Sequence, residues 1–179
     1  MVYDYSNKIN IQYHKTDVGE FILGSFEQKL CLMDYRYRKM RISVDKRIQK
    51  GTQAKYIERN DEVLDLTKQQ LDEYFSGDRT KFDIPLLLVG TDFQKRVWKA
   101  LMDVSYGDTS SYLELAKSID NEKAVRAVAS ANGANAMSII IPCHRIIGSD
   151  GSLVGYAGGL PAKKRLLKIE NCPLLADLF

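Results

Sequence analysis

The sequence is poor in the features that announce a specialised class of protein. Among 179 residues there are three cysteines, Cys31, Cys143 and Cys172. An odd number at wide spacing excludes a disulfide-stapled secreted scaffold. With 4 prolines and 12 glycines, the chain is neither collagenous nor of low complexity. No uninterrupted apolar run approaches the roughly 20 residues that a membrane-spanning helix requires. The opening MVYDYSNKIN also lacks the charged and apolar regions of an export signal. A cytoplasmic protein with reduced thiols and no membrane partner is therefore expected. Charge of one sign is scarce too: 26 Lys+Arg against 23 Asp+Glu leave a net +3, with 15 basic and 14 acidic residues in 1–90 and 11 and 9 in 91–179. Bulk charge names no polyanionic partner. What is present is a composition 45% hydrophobic and 27% charged, enough to build a core in one large domain or two small ones.

The first half reads as a small sheet. Ile9, Ile11 and Tyr13 alternate with Asn10 and Gln12, the period of a half-buried strand. The runs Phe21 to Leu23 and Leu30 to Met33, split by the polar Glu27-Gln28-Lys29, predict a hairpin. Arg36 to Lys50 is basic and partly helical, and Val63 to Phe75 predicts an amphipathic helix stopped at Ser76-Gly77. Phe82 to Val89, broken by Pro85, is an edge strand or a linker. The texture changes after Gly90, and the domains are expected to span 1–84 and 85–179.

Beyond Gly90, Thr91 caps a helix bearing Phe93, Val97, Trp98 and Leu101 on one face. A second helix is expected from Tyr112 to Ile119, and a third from Glu122 to about Ala131, capped by Asp120-Asn121. Three short helices with tight turns suit a helix-turn-helix and an ordinary helical subdomain alike. On the third helix Val125, Val128 and Ala129 would face the core. Ala124, Ala127 and Ala131 would form a stripe of small side chains with Arg126 beside it, a face able to approach another surface closely.

Ser138 to Ile141 reads as a short strand delivering the chain to Pro142-Cys143-His144-Arg145. Pro142 fixes φ and has no amide proton, so Cys143 sits at a constrained turn. A Cys-His neighbour pair by itself suits a structural role as well as a reactive one. For chemistry the thiol must ionise, and His144 is the candidate base, directly or through one water, with Glu170 available to orient it. His14 is expected to be solvated. The Gly-rich stretch Gly148 to Gly159 reads as a loop whose backbone lies close to a flat ligand.

Ile141-Pro142-Cys143-His144-Arg145-Ile146-Ile147, followed by Gly155-Tyr156-Ala157-Gly158-Gly159-Leu160, resembles the methylated-DNA–protein-cysteine methyltransferases, the O6-alkylguanine-DNA alkyltransferases. The resemblance extends through Gly90 to Gln94, Trp98 to Leu101, Tyr106 to Thr109 and Ala124 to Val128. It implies an α+β protein, with an N-terminal ribonuclease-H-like small sheet domain and a C-terminal helical domain of winged helix-turn-helix type. It further implies irreversible, single-turnover transfer of an alkyl group from O6 of guanine, and from O4 of thymine, in double-stranded DNA to Cys143. His144 would be the base acting through water, Glu170 its orienting carboxylate, and Tyr112 the phosphate contact and proton donor. Arg126 would fill the base stack, with Ala124, Ala127 and Ala131 docking in the minor groove. The guanine pocket would draw on Asn135, Ser138, Leu153, Gly155, Tyr156, Ala157 and Gly158. Ser138 and Ala157 stand where some members have Pro and Ser, a difference that bears on bulky adducts. No cofactor is implied, and the zinc site of some relatives is not expected, because Cys31 and His14 cannot supply four ligands. The protein would act as a monomer. The alternative is a non-catalytic alkyltransferase-like binder of damaged DNA; those proteins replace the cysteine that this chain keeps.

Overall fold

A computed structural model describes residues 7–174; the outermost residues of the two expected domains, 1–6 and 175–179, lie outside it. The chain divides into two compact units at Gly90/Thr91.

In the first unit β1 (Asn7–Thr16), β2 (Gly19–Phe26) and β3 (Lys29–Tyr35) form an antiparallel meander. Glu27 and Gln28 between β2 and β3 both take positive φ, the sense of turn that matches the twist of a two-residue hairpin. Helix α1 (Arg41–Thr52) returns the chain so that β4 (Ala54–Glu58) adds parallel to β1, giving the order β3-β2-β1-β4. Sequence pattern missed β4: it is a five-residue edge strand with only Ala54 buried, so it shows no alternation. Helix α2 (Glu62–Ser76) starts where Asp61 accepts the Leu64 amide at 2.9 Å and stops at Gly77, whose φ of 84° is open to glycine. It packs on the face of the sheet that carries Phe21 and Leu23, where Leu64, Leu71 and Tyr74 are buried, while Ile9 and Leu32 lie on the opposite face. His14 is not simply solvated but bonds Asp72 at 2.9 Å. Leu30 exchanges backbone bonds with Pro85 and Leu87, both 2.8 Å. That bridge holds 85–87 to this unit, beyond the expected boundary at 84, because an extended segment completes its hydrogen bonds on the β3 edge.

In the second unit α3 (Asp92–Met102) opens with a capping box between Thr91 and Gln94, and α4 (Tyr112–Ser118) with one between Ser111 and Glu114. The third helix begins later than its sequence pattern suggests. Asn121 makes no side-chain cap, Glu122–Ala124 form a 3-10 turn, and α5 runs Val125–Gly133. The indole of Trp98 donates to Ala131 O at 2.8 Å and locks α3 to α5. β5 (Ser110–Ser111) pairs in parallel with β6 (Ile146–Ile147), which ties the start of α4 to the segment following the reactive turn; α6 (Gly159–Ile169) closes the unit. The two-part α+β architecture and the helix-turn-helix of α4 and α5 agree with the sequence.

Candidate active site

The stretch from Asn135 to Ile147 is buried throughout. Ser138 to Ile141 is not a strand but a succession of turns, with Ile141 N–H donating to Met137 O and Ile140 N–H to Ser138 O. Its apolar side chains mimic a strand pattern because all of them are buried. Ile139 takes φ +72°, an uncommon and costly conformation for a β-branched residue. Pro142, at φ −80° and ψ 61°, forms a tight three-residue turn in which Cys143 N–H reaches Ile141 O at 2.8 Å. Cys143 then opens a 3-10 turn, Cys143–Arg145, so it and His144 lie on a curved rather than an extended segment.

Asn135 organises this turn. Its Nδ2 donates to Ile141 O at 2.9 Å and to Cys143 Sγ at 3.2 Å, while its Oδ1 accepts Met137 N–H at 2.9 Å. A donor aimed at sulfur favours the thiolate over the thiol.

His144 is wholly buried and its Nε2 lies 2.7 Å from Glu170 Oε1. Glu170, at the C-terminal cap of α6, also accepts Arg145 Nε at 2.9 Å, Arg145 Nη2 at 3.0 Å and the Gly107 amide at 3.3 Å. Burial would raise the Glu170 carboxyl, but hydrogen bonds and charge from His144 and Arg145 hold it well below the carboxylate range. Burial pulls His144 down, against the opposing pull of Glu170, so the imidazole is neutral near pH 7. With Nε2–H donated to the carboxylate, Nδ1 is left as an acceptor, and no group among the described residues bonds it. A buried unpaired nitrogen is a natural seat for a bridging water.

Sequence reasoning gives Arg145 no role of its own and misses Lys163. The Lys163 ammonium is fully buried and donates to Ile146 O and Val154 O, linking the segment after the reactive turn to the Gly-rich loop. Burial lowers it to about 8, with the charge of Cys143 acting in the opposite direction. The legible signal was position: Lys163, Leu167 and Glu170 recur at helical spacing on the apolar face of α6.

The Tyr112 hydroxyl is raised by burial and by Cys143, against a bond from Asn132. A Cβ placed on Gly155 would stand 3.8 Å from that hydroxyl, so the Gly-rich loop faces Tyr112. Tyr156 meets His144 edge-on with centroids 6.3 Å apart. Gly155 is exposed; Ala157 and Gly158 are half-buried, Ser138 is fully buried, and Leu153 packs against Leu167 and Cys172. On α5, Arg126 and Ala127 are exposed, while Ala124, just before the helix, is half-buried. Ala131 departs from the expected stripe: it is buried at the Trp98 bond, and the late start of the helix leaves Ala127 and Ser130 as the small outer residues.

A unit that joins a helix-turn-helix to a buried thiol at Cys143, followed by a neutral imidazole held by a carboxylate, fits a class: DNA-directed transferases that use a cysteine as acceptor. Comparison with known proteins makes the class particular. Residues 9–88 match the family described as "6-O-methylguanine DNA methyltransferase, ribonuclease-like domain", and residues 92–172 its "DNA binding domain". The methylated-DNA–protein-cysteine methyltransferase of Methanosarcina barkeri is 45% identical over 157 residues, 88% of this chain and 94% of that protein. The Mycobacterium bovis enzyme of the same name is 53% identical over 109 residues, 61% of this chain and 66% of that one. The crystal structure of the Mycobacterium tuberculosis O6-methylguanine methyltransferase superposes with a TM-score of 0.77 at 37% identity, covering 91% of this chain and 93% of that one. The same organism's protein in complex with DNA gives 0.77 at 35%, covering 95% and 99%. The chain belongs to the methylated-DNA–protein-cysteine methyltransferase family. Its activity is the repair of DNA by transfer of an alkyl group to a cysteine of its own.

Proposed function

We propose that Cys143 is that cysteine and that it takes alkyl groups from O6 of guanine, and from O4 of thymine, in double-stranded DNA. The observation that carries this is that Cys143, with Asn135 donating to its sulfur, is followed in the same turn by the buried, hydrogen-bonded His144–Glu170–Arg145 cluster. The Cys143 proton passes through a water to His144 Nδ1, and Glu170 stabilises the imidazolium that forms. The thiolate sulfur attacks the alkyl carbon; the C–O6 bond breaks with its electron pair going to the base, which takes a proton from Tyr112. The thioether product does not revert, so each molecule acts once. The target atom is inaccessible in a duplex, so the nucleotide is flipped, at a cost of a few kcal/mol that insertion of Arg126 offsets. Ala127, with Ala124, allows α5 into a minor groove about 6 Å wide. Asn135, Ser138, Gly155, Tyr156, Ala157 and Gly158 shape the base pocket, and Leu153 supports its wall from behind. The protein is read as a cytoplasmic monomer whose functional domains meet at Gly90/Thr91.

Intact-mass and peptide analysis after incubation with O6-methylguanine duplex tests this. One methyl on Cys143 and no second turnover is the expected result. Tight binding to the lesion without an adduct would instead assign the chain to the non-catalytic binders of damaged DNA.

A further inference from the structure

The basic stretch after β3 is used by none of this chemistry. Residues 36–50 hold seven Lys and Arg and one acidic residue, whereas the rest of 1–90 holds eight basic and thirteen acidic residues. The near-neutral total therefore conceals a strong local separation of charge. The segment is rigidly mounted. Buried Asp34 pairs with Arg38 and Arg41, both at 3.0 Å, Arg41 pairs with Asp45 at 2.8 Å, and the Tyr56 hydroxyl donates to Asp45 at 2.8 Å. These contacts consume the local acid and two of the arginines. Arg36 is held by Glu20 at 3.0 Å and lies over the Tyr13 ring.

What remains outward is of one character. Lys39, Lys46 and Lys50 are exposed. At 100° per residue Lys46 and Lys50 fall with Ile42 and Ser43 in an arc of about 100° on one side of α1, and Lys39 stands just ahead of that helix. Among them stand three large apolar side chains left in solvent: Tyr37 at 77% exposure, Ile42 at 73% and Met40 at 53%. Lysines interleaved with an exposed aromatic ring and aliphatic side chains form the surface that a nucleic-acid backbone selects: phosphates meet the ammonium groups, and sugars and bases the apolar ones. Lys46 and Lys50, one turn or about 6 Å apart along the helix, can serve neighbouring phosphates of one strand.

We propose that Tyr37, Lys39, Ile42, Lys46 and Lys50 form a second, sequence-independent contact surface for the backbone of duplex DNA, carried by the ribonuclease-like unit and separate from the helix-turn-helix. The proposal rests on the DNA-directed reading above and adds a binding face to it. The charge separation decides for a polyanion over a second copy of the chain, whose own net charge is positive.

The test is a salt titration of binding to unmodified duplex DNA by the full-length protein and its K39Q/K46Q/K50Q and Y37A variants. Three lost phosphate contacts should flatten the dependence of log K on log salt by about 2 to 3, and Y37A should weaken binding with the slope unchanged. Methyl uptake from free O6-methylguanine base should match wild type in both, because none of these residues belongs to the reactive site. An unchanged slope and affinity in the triple variant overturns the proposal. So does an unchanged slope accompanied by loss of self-association in sedimentation, which would assign the face to a second copy. Failure of the wild-type protein to acquire a methyl group would strike the reading of Cys143, while the salt slope would still decide, on its own, whether this face binds DNA.

Discussion

Replacing Glu170 with Gln tests the site where structure and chemistry are most tightly joined. The carboxylate receives four bonds, from His144, twice from Arg145 and from the Gly107 amide, while almost wholly buried. A Gln of the same shape keeps the volume but removes the negative charge that balances Arg145. Removing one partner of a buried ion pair costs about 3–5 kcal/mol, a large share of the roughly 5–15 kcal/mol that separates folded from unfolded protein. The chemical effect is separate. If the amide turns its NH2 toward His144, Nε2 must accept, so the proton moves to Nδ1 and the site loses its acceptor for the thiol proton. Loss of a positioned base slows a reaction by about 10²–10⁴-fold. Urea unfolding should show a lower midpoint with an unchanged slope, and quenched-flow mass analysis, run where the variant is still folded, should show methyl transfer slowed at least a hundredfold. A variant that is destabilised yet transfers at the wild-type rate would mean that Glu170 is only structural and that His144 is not the base.

The same groups set the response to pH. His144 is held below its ordinary value, so the unfolded chain binds the proton more readily; stability is complete above about pH 6.5 and declines as pH falls below it. Glu170, also depressed, deepens the loss below about pH 4.3, and unfolding free energies that stayed flat from about pH 7 to 4 would contradict this order. Asn135→Ala should cost about 2–4 kcal/mol, since it strands buried partners, and should raise the pH at which iodoacetamide alkylates Cys143; an unmoved profile would show that its bond to sulfur has no effect. Gly107→Ala puts a Cβ 2.9 Å from the Glu170 carbonyl at a φ of +83°, and slowed methyl transfer together with a lowered melting temperature is expected; wild-type behaviour in both would refute that close packing. Arg126→Ala should slow transfer from duplex DNA far more than from free base, and equal effects would remove its role in the stack.

Much of this is legible in sequence because the signals are local. Thr91 with Gln94 announces the start of α3, and Gly77 the end of α2, since capping is decided within a turn of helix. Pro142 marks a break before Cys143 whatever the rest of the chain does. Where burial rather than periodicity governs, the pattern misleads: Ser138–Ile141 alternates with nothing because every residue in it is inside. The helical spacing that begins at Glu122 carries on through α5, but the helix itself starts only at Val125, and Ala131 turns inward.

The sequence by itself determined most of the element types, the division near Gly90 and the candidacy of Cys143, all carried by residues within a few positions of one another. Tertiary structure decided the rest. Only folding brings Glu170 across 26 positions to His144 and 25 to Arg145, buries Lys163 on a helix whose other cations lie nearer solvent, and sets Lys46 and Lys50 with Ile42 on one side of α1. Electrostatic environment depends on distance and exclusion of water, and neither is written in the order of residues along the chain.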